Sequence, residues 1–148
     1  PVELLALARE AAESLQSAAA ARNVTVTVEG DPVELTGVRR LLYEIVFNLC
    51  DNAIKYNTDG GRVQVTVTKE NETAAVTVRD TGIGIPPDQQ DRVFERFYRV
   101  DKSHSKASGG TGLGLSIVKH AVQYHHGAIH LQSEVGTGTE IRVTFPLA

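Results

Sequence analysis

The chain has 148 residues, 41% of them hydrophobic and 22% charged, which suits one compact soluble domain built on a single core and would cramp two. Its formal net charge is −3 with scattered basic residues, so it carries no electrostatic footprint for DNA or RNA. No run of about 18 apolar residues is present to span a bilayer; the lone cysteine, Cys50, excludes an internal disulfide and favours a reducing, cytoplasmic compartment.

Residues 2 to 22 are rich in Ala, Leu, Glu and Gln, and Leu4, Leu7, Ala8, Ala11 and Leu15 recur at helical spacing, which predicts one helix. After Asn23, Val24, Val26 and Val28 alternate with Thr25 and Thr27 as in a strand, closed by Gly30-Asp31-Pro32. A short extended piece, 33 to 36, follows. From Val38 to about Tyr56 the helical period returns, with Leu42, Ile45, Val46, Leu49 and Ala53 on one apolar arc. Glu44, Asn48, Asn52 and Lys55 fall within another arc of roughly 80° and line one side of that helix. Residues 62 to 68 and 74 to 79 alternate in period two and predict a hairpin turning at Glu70-Asn71-Glu72. A third helix is predicted over 112 to 126, and a second strand pair, 128 to 133 and 139 to 145, turns around Gly136-Thr137-Gly138.

Strands buried on both faces read as continuous apolar runs, whereas these are apolar on one face only. The fold class is therefore α+β: a two-layer sandwich of three helices on one face of a mixed, mostly antiparallel sheet, forming one domain over residues 1–148. Between Pro86 and Gly110 lies a connection too long to be inert, with Phe94 and Phe97 on a short amphipathic piece; it reads as a lid over about 86–110.

Three glycine-bearing segments carry the chemistry: DTGIGIP (80 to 86), GGTGLGLS (109 to 116) and GTGT (136 to 139). Asp80 ends its strand with the parity of Val76 and Val78, so its carboxylate points toward the helical layer and needs donors, such as an adenine amino group. Gly82 and Gly84 let the backbone approach a flat ring. Asn52 offers an amide oxygen of the hard kind Mg²⁺ prefers, with Lys55 one turn on to meet phosphate. GGTGLGLS opens a helix, where free N–H groups and the dipole favour anions. Each has a plainer explanation when taken alone: a strand-closing turn, a solvated helix face, a structural glycine turn. His104, His120, His125, His126 and His130 lack any metal-ligand spacing, and Cys50 has no identifiable histidine partner.

In order, NLCDNAIKY (48 to 56), DTGIGIP, VFERFYRVD (93 to 101), GGTGLGLS and GTGT closely resemble the five boxes of the catalytic ATP-binding domain of bacterial sensor histidine kinases. The resemblance spans essentially the whole chain and implies the Bergerat α/β sandwich, with ATP and Mg²⁺ as ligands. It implies that Asn52 helps hold Mg²⁺, that Asn48 and Lys55 lie near the phosphates, and that Tyr56 lies by the adenine. Asp80 would bind the exocyclic amine, Gly82, Gly84 and Ile85 would form the base pocket, and Thr139 would make a polar contact nearby. Gly110, Thr111, Gly112, Leu113, Gly114 and Leu115 would form the phosphate side and lid hinge, with Tyr98 and Arg99 as candidates for phosphate or phosphoacceptor contact. The activity implied is transfer of the γ-phosphoryl group to a histidine on a separate dimerising helical domain, then relay to a response regulator.

No histidine here sits in a phosphoacceptor context. The chain begins at Pro1 without an initiator methionine, so it is expected to be a monomeric piece of a longer, homodimeric parent, which could itself be membrane-anchored; the piece should bind ATP but not phosphorylate itself. Two other readings stay open. Gyrase-type ATPases of similar fold place a Glu one turn before the magnesium Asn, where this chain has Asn48; Asn cannot act as a general base, though Glu44 lies a further turn away. The second is a nucleotide-gated binding module.

Overall fold

The computed structural model describes residues 1–90, 93–94 and 114–147. The first predicted helix is divided. Val2–Glu3 forms a short strand, β1, and helix follows as α1 (Leu4–Ser14) and α2 (Gln16–Ala21). The Glu3 carboxylate accepts from the Ala6 amide as an N-cap, and Leu15 interrupts the helix with φ −104° and ψ 5°. Ser14 there turns its hydroxyl to the Glu10 carbonyl and to Tyr43, the local competition that makes serine poor in helix interiors. Asn23, at φ 56°, provides the left-handed residue that ends α2, and the Val24 amide returns to the Ala19 carbonyl.

Strand β2 covers Thr25–Gly30 and β3 covers Glu34–Leu35. β3 pairs with β1 rather than joining the main sheet. Helix α3 runs from Arg39 to Lys55. The strands β4 (Arg62–Glu70) and β5 (Thr73–Asp80) form the predicted hairpin, with Asn71 at φ 55° in its tight turn. After one 3-10 turn at Pro87–Gln89 come α4 (Gly114–Tyr124), β6 (Ala128–Glu134) and β7 (Gly138–Pro146).

The main sheet has the order β2-β4-β5-β7-β6. Only the β2–β4 pair among its described ladders is parallel, as the mixed, mostly antiparallel expectation required. Register aligns the side chains in rows. Val67, Val76, Val143 and Ile129 form one row across β4, β5, β7 and β6, and Val65, Val78, Ile141 and Leu131 form the next. Val63, Val65, Val67, Val76 and Val143 are fully buried beneath Leu42, Ile45, Val46 and Leu49 of α3 and Leu4 and Leu7 of α1. The alternate positions Arg62, Gln64 and Arg79 are exposed on the other, helix-free face. Helices thus cover one face, because only one face of each strand is apolar.

The row after Val65–Val78–Ile141–Leu131 changes character. It comprises Val63, Asp80, Thr139 and Ser133, so the apolar floor ends in three polar side chains on the helix-facing side.

Candidate nucleotide site

That polar row is one end of the site. Asp80 Oδ1 accepts from the Gly82 amide at 2.8 Å and from the Thr139 amide at 3.2 Å. Both of its bonds to described residues fall on Oδ1. Burial pushes the Asp80 carboxyl up to about 6, against the opposing pull of those two amide donors. A half-buried carboxylate held this way is short of donors and suits a ligand that brings one.

The backbone after Asp80 is fastened to the end of α3. The Ile83 amide donates to the Tyr56 carbonyl at 3.1 Å, and a Cβ on Gly82 would stand 2.4 Å from that same oxygen. Gly84, at φ +78°, approaches so closely that a Cβ would lie 2.2 Å from the Glu134 carbonyl; only glycine fits there. The Ile85 amide donates to Ser133 Oγ at 2.7 Å. Gln90 Nε2 donates to the carbonyls of Ile85 and Ser133 at 2.9 and 3.1 Å. The segment is thereby clamped between α3 and the end of β6.

The other end lies along α3. A Cβ built on Gly114 would stand 3.3 Å from Asn48 Oδ1 and 3.4 Å from Asn52 Nδ2. Glycine therefore opens α4 with a cradle bounded by two amides. Asn48 Nδ2 donates to the Glu44 carbonyl at 2.7 Å, which turns its oxygen toward the cradle. Lys55 pairs with Asp51 at 3.0 Å, both side chains about one-quarter exposed. Glu44 is paired with Arg40 at 3.2 Å. From Asn48 to Tyr56 the helix rises on the order of 12 Å, so α3 joins the cradle to the pocket around Asp80.

Of the residues chosen from the sequence, Asn48, Asn52, Lys55, Tyr56, Asp80, Gly82, Gly84, Ile85, Gly114, Leu115 and Thr139 are described. Leu115 packs its side chain against the core, leaving its backbone for any ligand. Tyr98, Arg99, Gly110, Thr111, Gly112 and Leu113 lie outside the described residues, as does Phe97. Phe94 packs against the core, and its neighbour Val93 is buried. Three residues were missed. Asp51 shares the α3 stripe, and its position at about −20° on the helical wheel, relative to Glu44, could have revealed it. Ser133 and Gln90 gave no signal, because their contacts depend on how β6 and the segment after Asp80 meet. Cys50 is wholly buried, and burial, with Asp51 adding to it, pushes its thiol up to about 12; it is an inert packing residue.

A one-faced α+β sheet that sets a half-buried carboxylate acceptor beyond the C-terminal end of one helix, with an amide cradle one to two turns back along it, is an arrangement suited to a nucleotide. The profile described as Histidine kinase-, DNA gyrase B-, and HSP90-like ATPase matches residues 37–148, and the chain belongs to that family.

Within the family its likeness is to sensor histidine kinases. It is 40% identical over 146 residues to the sensor-like histidine kinase SenX3 of Mycolicibacterium smegmatis, a match covering 98% of this chain and 38% of that protein. The structure of the mycobacterial sensor histidine kinase MprB superposes with a TM-score of 0.85 at 31% identity, covering 98% of this chain and 96% of that one. Full-length ShkA in complex with AMPPNP superposes with a TM-score of 0.85 at 29% identity, covering 100% of this chain and 31% of that one. The chain spans well under half the length of the curated relatives it matches first. Among the described residues, no helix is long and apolar enough to cross a membrane.

Proposed function

We propose that this chain is the ATP-binding catalytic domain of a sensor histidine kinase, which presents Mg·ATP to a histidine on a separate helical dimerisation domain of the same parent, for relay to a response regulator. The observation that carries the reading is the arrangement along α3: an acceptor pocket at its C-terminal end and an amide cradle facing Gly114 further back. The ShkA structure, solved with AMPPNP, supports nucleotide as the ligand.

In this reading Asp80 accepts the adenine amine, Gly82, Gly84 and Ile85 shape the base pocket, Tyr56 lies by the base, and Thr139 adds a polar contact. Asn48, Lys55 and the α4 N-terminus around Gly114 face the phosphates, with Gly110 to Leu113, Tyr98 and Arg99 assigned to the same task. Hard oxygen donors suit Mg²⁺; of the two amides bounding the cradle Asn48 presents its Oδ1 and Asn52 its Nδ2, so Asn52, the proposed protein ligand, would turn its amide over to offer its oxygen. When bound, Mg²⁺ would neutralise charge on the polyphosphate. The lid over residues 86–110, the cytoplasmic location and the parent homodimer belong to the same proposal.

The reaction is an in-line displacement. A lone pair of the acceptor imidazole forms the N–P bond as the bond from the γ-phosphorus to the β–γ bridging oxygen breaks, and ADP leaves with that electron pair. This domain contributes position and charge neutralisation. Hydrolysis would need a base to activate water; Asn48 cannot serve, and Glu44 stands a further turn back along α3 from the proposed magnesium ligand. These two observations favour transfer over the ATPase reading.

The test has two arms. Calorimetry should find one Mg·ATP site on this chain, and the chain alone should incorporate no acid-labile phosphate. Adding a helical hairpin with a phosphoacceptor histidine in trans should restore incorporation. Phosphate release to water at the same rate with and without the hairpin would favour a hydrolase and overturn the proposal.

A further inference from the structure

Ser133 stands in the polar row beside Thr139, and its bonds fix the direction of every hydroxyl proton around it. The Ile85 amide can only donate, so Ser133 Oγ accepts there at 2.7 Å. The Gly138 carbonyl can only accept, so the Ser133 proton goes to it at 3.1 Å. The remaining contact, Ser133 Oγ to Thr139 Oγ1 at 2.8 Å, could by itself run either way, but only with Thr139 donating are all three contacts of Ser133 Oγ hydrogen bonds at once. Ser133 Oγ is then saturated, with one bond donated and two accepted. The Thr139 proton is committed inward, and toward the pocket Thr139 Oγ1 has lone pairs alone.

We propose that Ser133 is a specificity-determining positioning residue, which locks Thr139 as an acceptor and so makes the base end of the site select an amine-bearing purine over a carbonyl-bearing one. The inference rests on the nucleotide reading above and extends it. Asp80 and Thr139 are cross-strand partners, so a carboxylate and a hydroxyl oxygen stand side by side, both as acceptors. An exocyclic amine has two hydrogens to offer such a pair, directly or through a water. A carbonyl at the same ring position would face two acceptors, with the neighbouring ring N1–H as the only donor, so one oxygen is left to confront the carbonyl without a proton between them, an arrangement that discriminates between otherwise similar ligands. Ser133 acts on the base through Thr139 and is itself turned to the Ile85 amide and the Gly138 carbonyl.

The experiment compares ATP with inosine triphosphate, which replaces the amine by a carbonyl and places a hydrogen on N1 at nearly unchanged shape. Dissociation constants are measured by calorimetry at pH 8 with Mg²⁺ for the full chain and its Ser133→Ala, Thr139→Val and double variants. The unaltered chain should prefer ATP by on the order of a hundredfold. Ser133→Ala frees the Thr139 hydroxyl to rotate and donate, and the preference should shrink about tenfold, mostly through tighter binding of inosine triphosphate. In the Thr139→Val background, Ser133→Ala should leave the ratio unchanged, because there is no hydroxyl left to orient. A merely structural serine would weaken both nucleotides equally in both backgrounds, and that result overturns the inference. So does an unchanged ratio in Ser133→Ala. If the unaltered chain binds neither nucleotide, the ATP reading itself falls, and this inference with it; if it binds ATP but shows no preference, this inference alone falls.

Discussion

Replacing Asp80 by asparagine should stabilise the fold while damaging its ligand site. The introduced amide oxygen would still accept from the amides of Gly82 and Thr139, but no charge would need to be buried. Folding raises the carboxyl from 3.8 to about 6. For an acid, a raised folded-state value means the native protein binds the proton more tightly than the unfolded chain, so ionised Asp80 holds stability down above pH about 6 and the penalty is relieved as pH falls toward 3.8. At roughly 1.4 kcal/mol per pKa unit, discounted for partial exposure, the penalty at pH 8 is about 2 kcal/mol. For a domain of this size that corresponds to a melting point roughly 4–8 °C higher for Asp80→Asn. Scanning calorimetry on both proteins at pH 8, 6 and 4 should show this advantage largest at pH 8 and nearly gone at pH 4. ATP affinity of the variant at pH 8 should fall at least about tenfold, because an amide nitrogen now meets the adenine amine. A variant no more stable than the parent at pH 8, or an advantage that persists undiminished at pH 4, would refute the argument.

The geometry sets further outcomes. In the unaltered chain, ATP affinity measured by calorimetry should weaken as pH falls through about 6 and Asp80 takes up its proton, and Asp80→Asn should abolish that dependence. Asn52→Ala should cost about tenfold in the magnesium-dependent part of ATP affinity, seen by titrating with and without the metal, while the melting point moves little. Gly82→Ala, whose methyl would meet the Tyr56 carbonyl at 2.4 Å, should lower stability by about 2 kcal/mol or more in denaturant titrations. His125→Ala should also destabilise: His125 accepts from the Val38 amide through Nε2 at 3.0 Å, and its Nδ1 donates to the Ala121 carbonyl at 2.8 Å. Losing both should cost about 2 kcal/mol, with His125→Gln recovering part of the loss.

Much of the architecture was legible because each strand buries one face. The alternation of Val63, Val65 and Val67 with polar neighbours announced a sheet with helices on one side, and the parity of Asp80 with Val76 and Val78 put its carboxylate on the correct face. What the pattern could not reveal was interruption without a change of composition. Leu15 breaks the first helix while itself buried, and Val2–Glu3 leave it to pair with Glu34–Leu35, a choice made by tertiary partners rather than by local propensity.

At the site, residues whose roles derive from one element were readable, and those whose roles derive from a meeting of elements were not. Asn48 and Asn52 share an arc of α3 and could be found by angle. Ser133 lies on the strand it was expected to occupy, yet its hydroxyl matters only because Thr139, Ile85 and Gly138 converge on it. His125 looked like one of five unremarkable histidines, and only the folded chain shows it bridging the start of α3 and the end of α4. Lys55 was read alone as a phosphate contact, and Asp51, passed over on the same stripe, is paired with it.

The sulfur content of the chain has a practical consequence. There is no methionine, and the single cysteine is sealed in the core as a protonated thiol, so peroxide and maleimides find little to attack in the native protein. A cysteine introduced at an open position such as Tyr124, 63% exposed, becomes the sole reactive handle, and a fluorophore attached there reports on the far end of α4 without background from the wild-type chain.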